Sequence, residues 1–259
     1  MDRKGLILVK IGGNTLSKLS LFLSFIKTLY ELGYDFVLLH GGGNEINSWM
    51  EKLGFEPKFV KGRRITDENT LKIVEMVLSG DIQGKVISEV KKAGLKVLGL
   101  NGKSIFKCKK LIIDNIDLGY VGEVVEVDVL PIRRLLEERY VVVTTSLGMD
   151  ESGVSYNINA DSAALALGIS LKVDRLIFCT DVPGVILRED DKDKVLNKLS
   201  IEEAKKLIEE EKVFGGMIPK LESAIRAIEN GVKTVQIWGG VDFSRAWNME
   251  EGTLVYKAL

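Results

Sequence analysis

The chain has 259 residues, 36 Lys plus Arg against 37 Asp plus Glu, a formal net charge of −1, one His and two Cys. With 46% hydrophobic and 28% charged residues it is not a disordered chain, and its balanced charge argues against strong nonspecific nucleic-acid binding. One His cannot build a His-rich zinc site. Cys108 and Cys179 cannot build a Cys₄ site and are expected as reduced cytosolic thiols, and no apolar run approaches the roughly 20 residues of a membrane span.

Taken in chain order, Leu6–Val9 reads as a buried strand broken at Gly12-Gly13. Residues 16–32 have helical periodicity, ended by Gly33. Phe36–Leu39 is a second buried strand, followed by His40-Gly41-Gly42-Gly43 and a helix over 45–53. Two helices are predicted over 67–79 and 82–93, and a strand over Val97–Leu100. Residues 106–129 alternate as short strands, with hairpin turns expected around Asp117 and Gly119. Pro131 opens a short helix, Tyr140–Val143 is a strand, Ala160–Leu167 a helix and Leu176–Cys179 a strand. Ser200-Ile201-Glu202-Glu203 is a capping box. Met217–Ala227 is helical, Asn230-Gly231 ends it, and Val235–Ile237 is a late strand. Apolar strands separated by helices predict a mainly parallel sheet covered on both faces, in one α/β unit with two lobes.

The chemistry gathers at the turns. Lys10-Ile11-Gly12-Gly13-Asn14 and His40-Gly41-Gly42-Gly43-Asn44 each follow a buried strand. Such glycines let backbone approach an anion closely, or simply form strand-to-helix turns; two together, with Lys10 beside the first, favour anions. A Walker A loop is excluded at Gly102-Lys103-Ser104, because it needs Gly at position 97 and Val stands there. The acidic run at 189–193 lacks the central Gly and closing Glu of a calcium loop and reads as a solvated hairpin tip. Asn157, Asn159 and Asp161 alternate, so an extended segment would point all three one way. Asp161 could equally cap the helix that starts there. Gly215-Gly216-Met217-Ile218-Pro219-Lys220 places Lys220 in the first turn of a helix, against the dipole, which implies an anionic partner. With a single His, the reaction needs an Asp, Glu or Lys base, or a nucleophile that arrives ionised.

These motifs, with Gly62-Arg63-Arg64-Ile65-Thr66-Asp67, Gly119-Tyr120-Val121-Gly122-Glu123-Val124 and Thr180-Asp181-Val182-Pro183-Gly184-Val185, occur in an order that resembles the amino-acid-kinase family. Within that family they resemble the branch that phosphorylates N-acetyl-L-glutamate. The resemblance implies an open, mainly parallel eight-stranded sheet sandwiched between helices. It implies ATP-dependent phosphorylation of the γ-carboxylate of N-acetyl-L-glutamate to an acyl phosphate, the second step of arginine biosynthesis. Residues 1–170 would bind the amino-acid substrate and dimerise, and residues 171–259 would bind ATP. Lys10 and Lys220 match the lysines that stabilise the transferring phosphoryl group, and Asp161 the aspartate that positions them. Gly42, Gly43, Arg64 and Asn157 match the substrate side, with Arg64 on the α-carboxylate. Gly12 and Gly13 match the donors around the phosphoryl group, and Thr180, Asp181, Gly216 and Met217 the nucleotide side.

A carboxylate is already ionised at pH 7, so this reaction needs no base. Mg²⁺ is expected on the ATP phosphates, without a dedicated protein site. The expected protein is cytoplasmic, binds neither nucleic acid nor membrane, and is a homodimer without arginine feedback. The last expectation arises because a strand beginning near Leu6 leaves no room for the N-terminal helix of arginine-inhibited members. The segment 238–245 departs from the branch's usual pattern. Arg63 stands where the family usually has an apolar residue, and the sequence gives it no role. Two other readings are a kinase acting on aminoadipate or glutamate held on a carrier protein, and a non-catalytic amino-acid sensor. The first usually carries a different hairpin motif from Tyr120-Val121-Gly122. The second should have lost Lys10, Asp161 and Lys220, which are all present.

Overall fold

The computed structural model describes residues 3–12, 19–189, 192–213, 217–240 and 243–258. The chain begins with β1 (Gly5–Ile11), α1 (Leu19–Glu31), β2 (Tyr34–His40) and α2 (Gly43–Lys52). The small hairpin β3 (Phe59–Val60) and β4 (Arg63–Arg64) turns at Lys61 and Gly62, both at positive φ. That is the geometry of a two-residue primed turn. Next, α3 (Glu68–Met76) is capped by Asp67, whose carboxylate accepts the Thr70 N–H. A π-helical turn over Val77–Ile82 joins it to α4 (Gln83–Lys92). The break expected at residues 80–81 is therefore absent, because the π turn keeps the helical backbone running through Gly80 and Asp81.

The middle of the chain forms β5 (Val97–Leu100), β6 (Phe106–Ile113), β7 (Ile116–Val127), α5 (Leu130–Glu137), β8 (Val141–Thr145), β9 (Leu147–Met149), β10 (Ser155–Ile158) and α6 (Ala160–Leu171). The hairpin turn between β6 and β7 lies at Asp114-Asn115, both at positive φ, and not at Asp117 or Gly119. Gly119 is inside β7, and a Cβ there would stand 2.2 Å from the Thr66 carbonyl oxygen. Its glycine marks a close backbone approach, which sequence reading mistook for a turn. The remainder is β11 (Arg175–Cys179), β12 (Val185–Glu189), β13 (Lys192–Leu196), β14 (Lys198–Ser200), α7 (Ile201–Glu209), α8 (Met217–Glu229), β15 (Thr234–Trp238), α9 (Phe243–Trp247) and β16 (Thr253–Tyr256). The capping box of α7 forms in full: Ser200 accepts the Glu203 N–H and Glu203 accepts the Ser200 N–H.

One eight-stranded sheet, ordered β14-β16-β15-β11-β1-β2-β8-β5, carries the molecule. The strands from β15 to β5 are parallel, while β16 pairs antiparallel with β15 and β14 follows β16. Alternate residues of each strand feed two cores. Leu8, Val37 and Val142 pack under α5, α6, α7 and α8. Ile7, Val9, Phe36 and Leu38 pack under α1, α3, α4 and α9. β12 and β13 form the expected hairpin, its 190–191 tip lying outside the described residues.

The 238–245 segment closes the second core. Trp238 is buried, stacks on Phe22 and meets Phe243 edge-on at 5.2 Å. A Cβ on Gly239 would lie 2.0 Å from the Val182 carbonyl oxygen, so only glycine lets this segment back onto the loop after β11. Val241 and Asp242 lie outside the described residues.

Candidate active site

β1, β2, β8 and β11 all end at one edge of the sheet. Ligands of open parallel sheets bind beyond the carboxyl ends of the strands, where the winding direction reverses. Here β1 is flanked by β2 on one side and β11 on the other, so the reversal falls beside Lys10. Because side chains alternate, Lys10 follows Leu6 and Leu8 onto the face covered by α6 and α8. A Cβ on Gly12 would come 2.8 Å from Lys10 Nζ, so glycine there leaves room for the lysine's course.

Asp161 lies between two lysines. Lys10 Nζ is 2.9 Å from its Oδ1, and Lys220 Nζ is 3.1 Å from its Oδ2. The anionic partner that sequence reading required for Lys220 is therefore Asp161. Burial works to raise the Asp161 carboxyl, but Lys10 and Lys220 outweigh it and hold its pKa below the usual carboxylate value. The cap of α6 is Asn159, whose Oδ1 accepts the Ser162 N–H at 3.0 Å. Asp161 is thus excused from capping, which settles the ambiguity left by the sequence. β10 ends at Ile158, so Asp161 also leaves the extended run of Asn157 and Asn159 for the first helical turn.

On the β2 side, Lys10, Gly12, Gly42, Gly43, Arg64 and Asn157 line one cavity. Gly42 precedes α2 without any side-chain cap, leaving first-turn N–H groups for an anion. A Cβ on Gly42 would strike Ile82 of the π turn, whereas one on Gly43 would meet nothing within 4 Å. Gly43 is therefore not demanded by packing.

Arg64 is 7% exposed. It bonds to Asn47 Oδ1 at 2.6 Å, the Gly43 carbonyl at 3.2 Å and Met50 Sδ at 3.2 Å, and lies over the Phe59 ring. All these partners are neutral, and among the described residues no carboxylate pairs with it. Burial consequently lowers its pKa. A guanidinium with five donors, buried without a counter-ion, is costly, and an anion would offset that cost. Asn157 donates to Thr66 Oγ1 at 3.2 Å.

An adjoining cavity is lined by Asp161, Phe178, Lys220 and Ser223, and shares Gly62, Arg63 and Asn159 with the first. Thr180 lies at the end of β11, its N–H donating to the Trp238 carbonyl at 2.9 Å, and Asp181 follows it at the surface. Met217 opens α8, three residues before Lys220. These three line neither cavity. Gly13 and Gly216 lie outside the described residues. Phe59 and Asn159 also line the first cavity; the sequence singles out Asn159 only by its alternation with Asn157 and Asp161 and assigns it no binding role. Asn159 carried a usable signal, an Asn three positions before Ser162 at a helix start; Phe59 carried none.

His40 is fully buried, between Ile11 of β1 and Thr145 of β8. Its Nδ1 donates to the Gly41 carbonyl at 3.2 Å, and Nε2 has no partner among the described residues. His40 thus bonds to backbone at the edge of the glycine turn. Burial holds its pKa down at about 4. The unfolded chain therefore takes up its proton near pH 6.5 and the folded chain only near 4. Its contribution is whole above pH 6.5 and is lost as pH falls from there towards 4. Between pH 7 and 4.5, wild type should lose about 2–3 kcal/mol more stability than His40→Asn, at about 1.4 kcal/mol per pH unit. Urea melts of both proteins at the two pH values measure this; equal losses would contradict it.

The geometry is a lysine–aspartate–lysine bridge at the carboxyl edge of a parallel sheet, beside a buried arginine that no carboxylate pairs with among the described residues. The chain belongs to the amino acid kinase family, which it matches over residues 5–239. It is 40% identical over 239 residues to the acetylglutamate kinase of Caldanaerobacter subterraneus subsp. tengcongensis, covering 90% of this chain and 80% of that protein. It is 44% identical over 220 residues to the acetylglutamate kinase of Methanocaldococcus jannaschii, covering 81% and 73%. Among solved structures, the smu.665 protein of Streptococcus mutans UA159 superposes with a TM-score of 0.83 at 31% identity, covering 98% of this chain and 99% of that one.

Proposed function

We propose that this protein transfers the γ-phosphoryl group of ATP to the γ-carboxylate of N-acetyl-L-glutamate, as a step of arginine biosynthesis. The observation that carries this reading is the buried, counter-ion-free Arg64 in the same cavity as Lys10, which Asp161 ties to Lys220. The first cavity is built from residues before 161, and the second adds Phe178, Lys220 and Ser223. This division supports assigning acetylglutamate to the lobe 1–170 and ATP to the lobe 171–259; Thr180, Asp181 and Met217, which line neither cavity, are placed on the nucleotide side by family resemblance alone.

The α-carboxylate of acetylglutamate pairs with the Arg64 fork, which suits a planar anion. Asn157 and the first-turn N–H groups of α2 fix the rest of the molecule, so that its γ-carboxylate points at Lys10. That oxygen attacks the γ-phosphorus: an O–P bond forms, the bond to the β-phosphate oxygen breaks, and ADP leaves with the electron pair. No proton moves, because the nucleophile is already an anion. The obstacle is repulsion, about 4 kcal/mol for two unit charges 4 Å apart at an effective dielectric of 20. Lys10 and Lys220 offset it, and their cations follow the charge as it spreads over the phosphoryl oxygens.

We place Mg²⁺ on the ATP phosphates, where it would neutralise charge. Among the described residues no group of three His, Cys, Asp or Glu side chains could hold a metal ion. We assign the protein to the cytoplasm as a homodimer; none of its described helices is long and apolar enough to cross a membrane. Burial pushes the Cys108 thiol up to about 12, which makes it unreactive.

The test offers ATP with N-acetyl-L-glutamate, and with aminoadipate or glutamate, free and attached to a small acidic carrier protein. Acyl phosphate should form from free acetylglutamate alone. Product only from a carrier-bound substrate would reassign the enzyme, and product from none would contradict the kinase reading. Light scattering should give twice the 28.7 kDa chain mass.

A further inference from the structure

Arg63 and Arg64 are neighbours on β4, but only Arg64 is accounted for by the substrate's α-carboxylate. Arg63 is half-buried and lines both cavities, at the junction where Gly62 and Asn159 are also shared. Among the described residues its one hydrogen bond goes from Nη1 to Ser162 Oγ at 3.2 Å, a neutral acceptor. No carboxylate is within ion-pair distance of it among those residues.

The surroundings make this an unfavourable place for a cation. Ser162 is in the first turn of the twelve-residue α6, where the helix dipole is positive. Burial lowers the Arg63 pKa, and Asp161 and Glu123 oppose that only through space. Asp161 is already held by Lys10 and Lys220, and Glu123 by Lys109 at 3.1 Å. Lys10, Lys220 and Arg63 thus draw on Asp161 together, and the one other carboxylate that acts on Arg63, Glu123, is ion-paired with Lys109. The same reasoning, a cation in a helix's first turn, correctly required an anion for Lys220. For Arg63 no carboxylate among the described residues comes within ion-pair distance.

The group that must occupy this junction during turnover is the phosphoryl in transit between the cavities. We infer that Arg63 is a further catalytic residue, whose guanidinium contacts the transferring phosphoryl group together with Lys10 and Lys220. The inference rests on the kinase reading above. As charge spreads over the phosphoryl oxygens, a planar cation with several donors can follow it. The contact is made in transit, so it acts on kcat more than on the affinity for either substrate.

The experiment compares wild type with Arg63→Met, Arg63→Gln and Arg63→Lys. Acetylglutamate hydroxamate formed by wild type first establishes the kinase reading independently; no product there would sink that reading, not this one. Arg63→Gln can still bond to Ser162, so a purely structural role survives in it. The expected result is a kcat about 30-fold or more below wild type in both Met and Gln variants, with KM for ATP and acetylglutamate within about threefold. Arg63→Lys should restore kcat at least about fivefold over Met, since the charge returns without the fork. Thermal melts confirm folding, and if Met unfolds, the Gln and Lys variants carry the comparison. A kcat in Gln within about threefold of wild type, or a loss carried by KM, would overturn the inference.

Discussion

Lys10→Ala and Lys220→Ala should each lower kcat by about 10²–10³-fold at saturating substrates, the range for removing one preorganised donor from a transition state. Both ammonium groups lie within 3.1 Å of Asp161 and both side chains are mostly buried, 14% and 21% exposed. Asp161 holds both lysines in place in this structure, and donors held in place need little reorganisation during transfer. Asp161→Asn preserves the shape and removes the charge that draws the lysines together. Without it the two cations repel across the site, and kcat should fall by about 10²-fold. Effects of groups that act as a unit do not add, so Lys10→Ala/Lys220→Ala should lose less than the product of the single losses. A hydroxamate assay measures all four variants; turnover like wild type in any of the three single variants would remove the role assigned to that residue.

Arg64→Ala should raise the acetylglutamate KM by about 10²-fold or more, because losing one partner of a buried, hydrogen-bonded charge pair costs about 2–5 kcal/mol. The ATP KM should stay near wild type, since Arg64 belongs to the first cavity alone. Arg64→Lys should recover little. One ammonium cannot hold Asn47 and Gly43 and still present a fork to a carboxylate. Calorimetric titration with acetylglutamate reports this loss without turnover. An affinity within about threefold of wild type would place the α-carboxylate elsewhere.

Much of this site was legible because its chemistry coincides with strong local punctuation. Lys10 ends a run of apolar strand residues, and Gly41-Gly42-Gly43 separates a buried strand from a helix. Lys220 was a cation in the wrong turn of a helix, and the structure supplies its partner. The parallel sheet followed from the continuous apolar strands, but β16 did not, because its four residues Thr253–Tyr256 carry too little pattern. The helix break near Gly80 failed because a π turn accommodates what sequence rules treat as an end. Asp161 could have been the cap of α6 until Asn159 was seen to do the capping. Arg63 was not readable at all. Its meaning depends on which two cavities meet at its side chain, and that is fixed by β4 packing beside α6 and β7, far apart in sequence.

The most direct measurement of the central claim is trapping of the product. Purified protein is incubated with ATP, Mg²⁺, N-acetyl-L-glutamate and hydroxylamine, and the adduct is identified by mass spectrometry. The account predicts N-acetylglutamate γ-hydroxamate, formed with one ADP per adduct by wild type and nearly abolished in Lys10→Ala. ATP hydrolysis without the γ-hydroxamate, or equal product from Lys10→Ala, would contradict it.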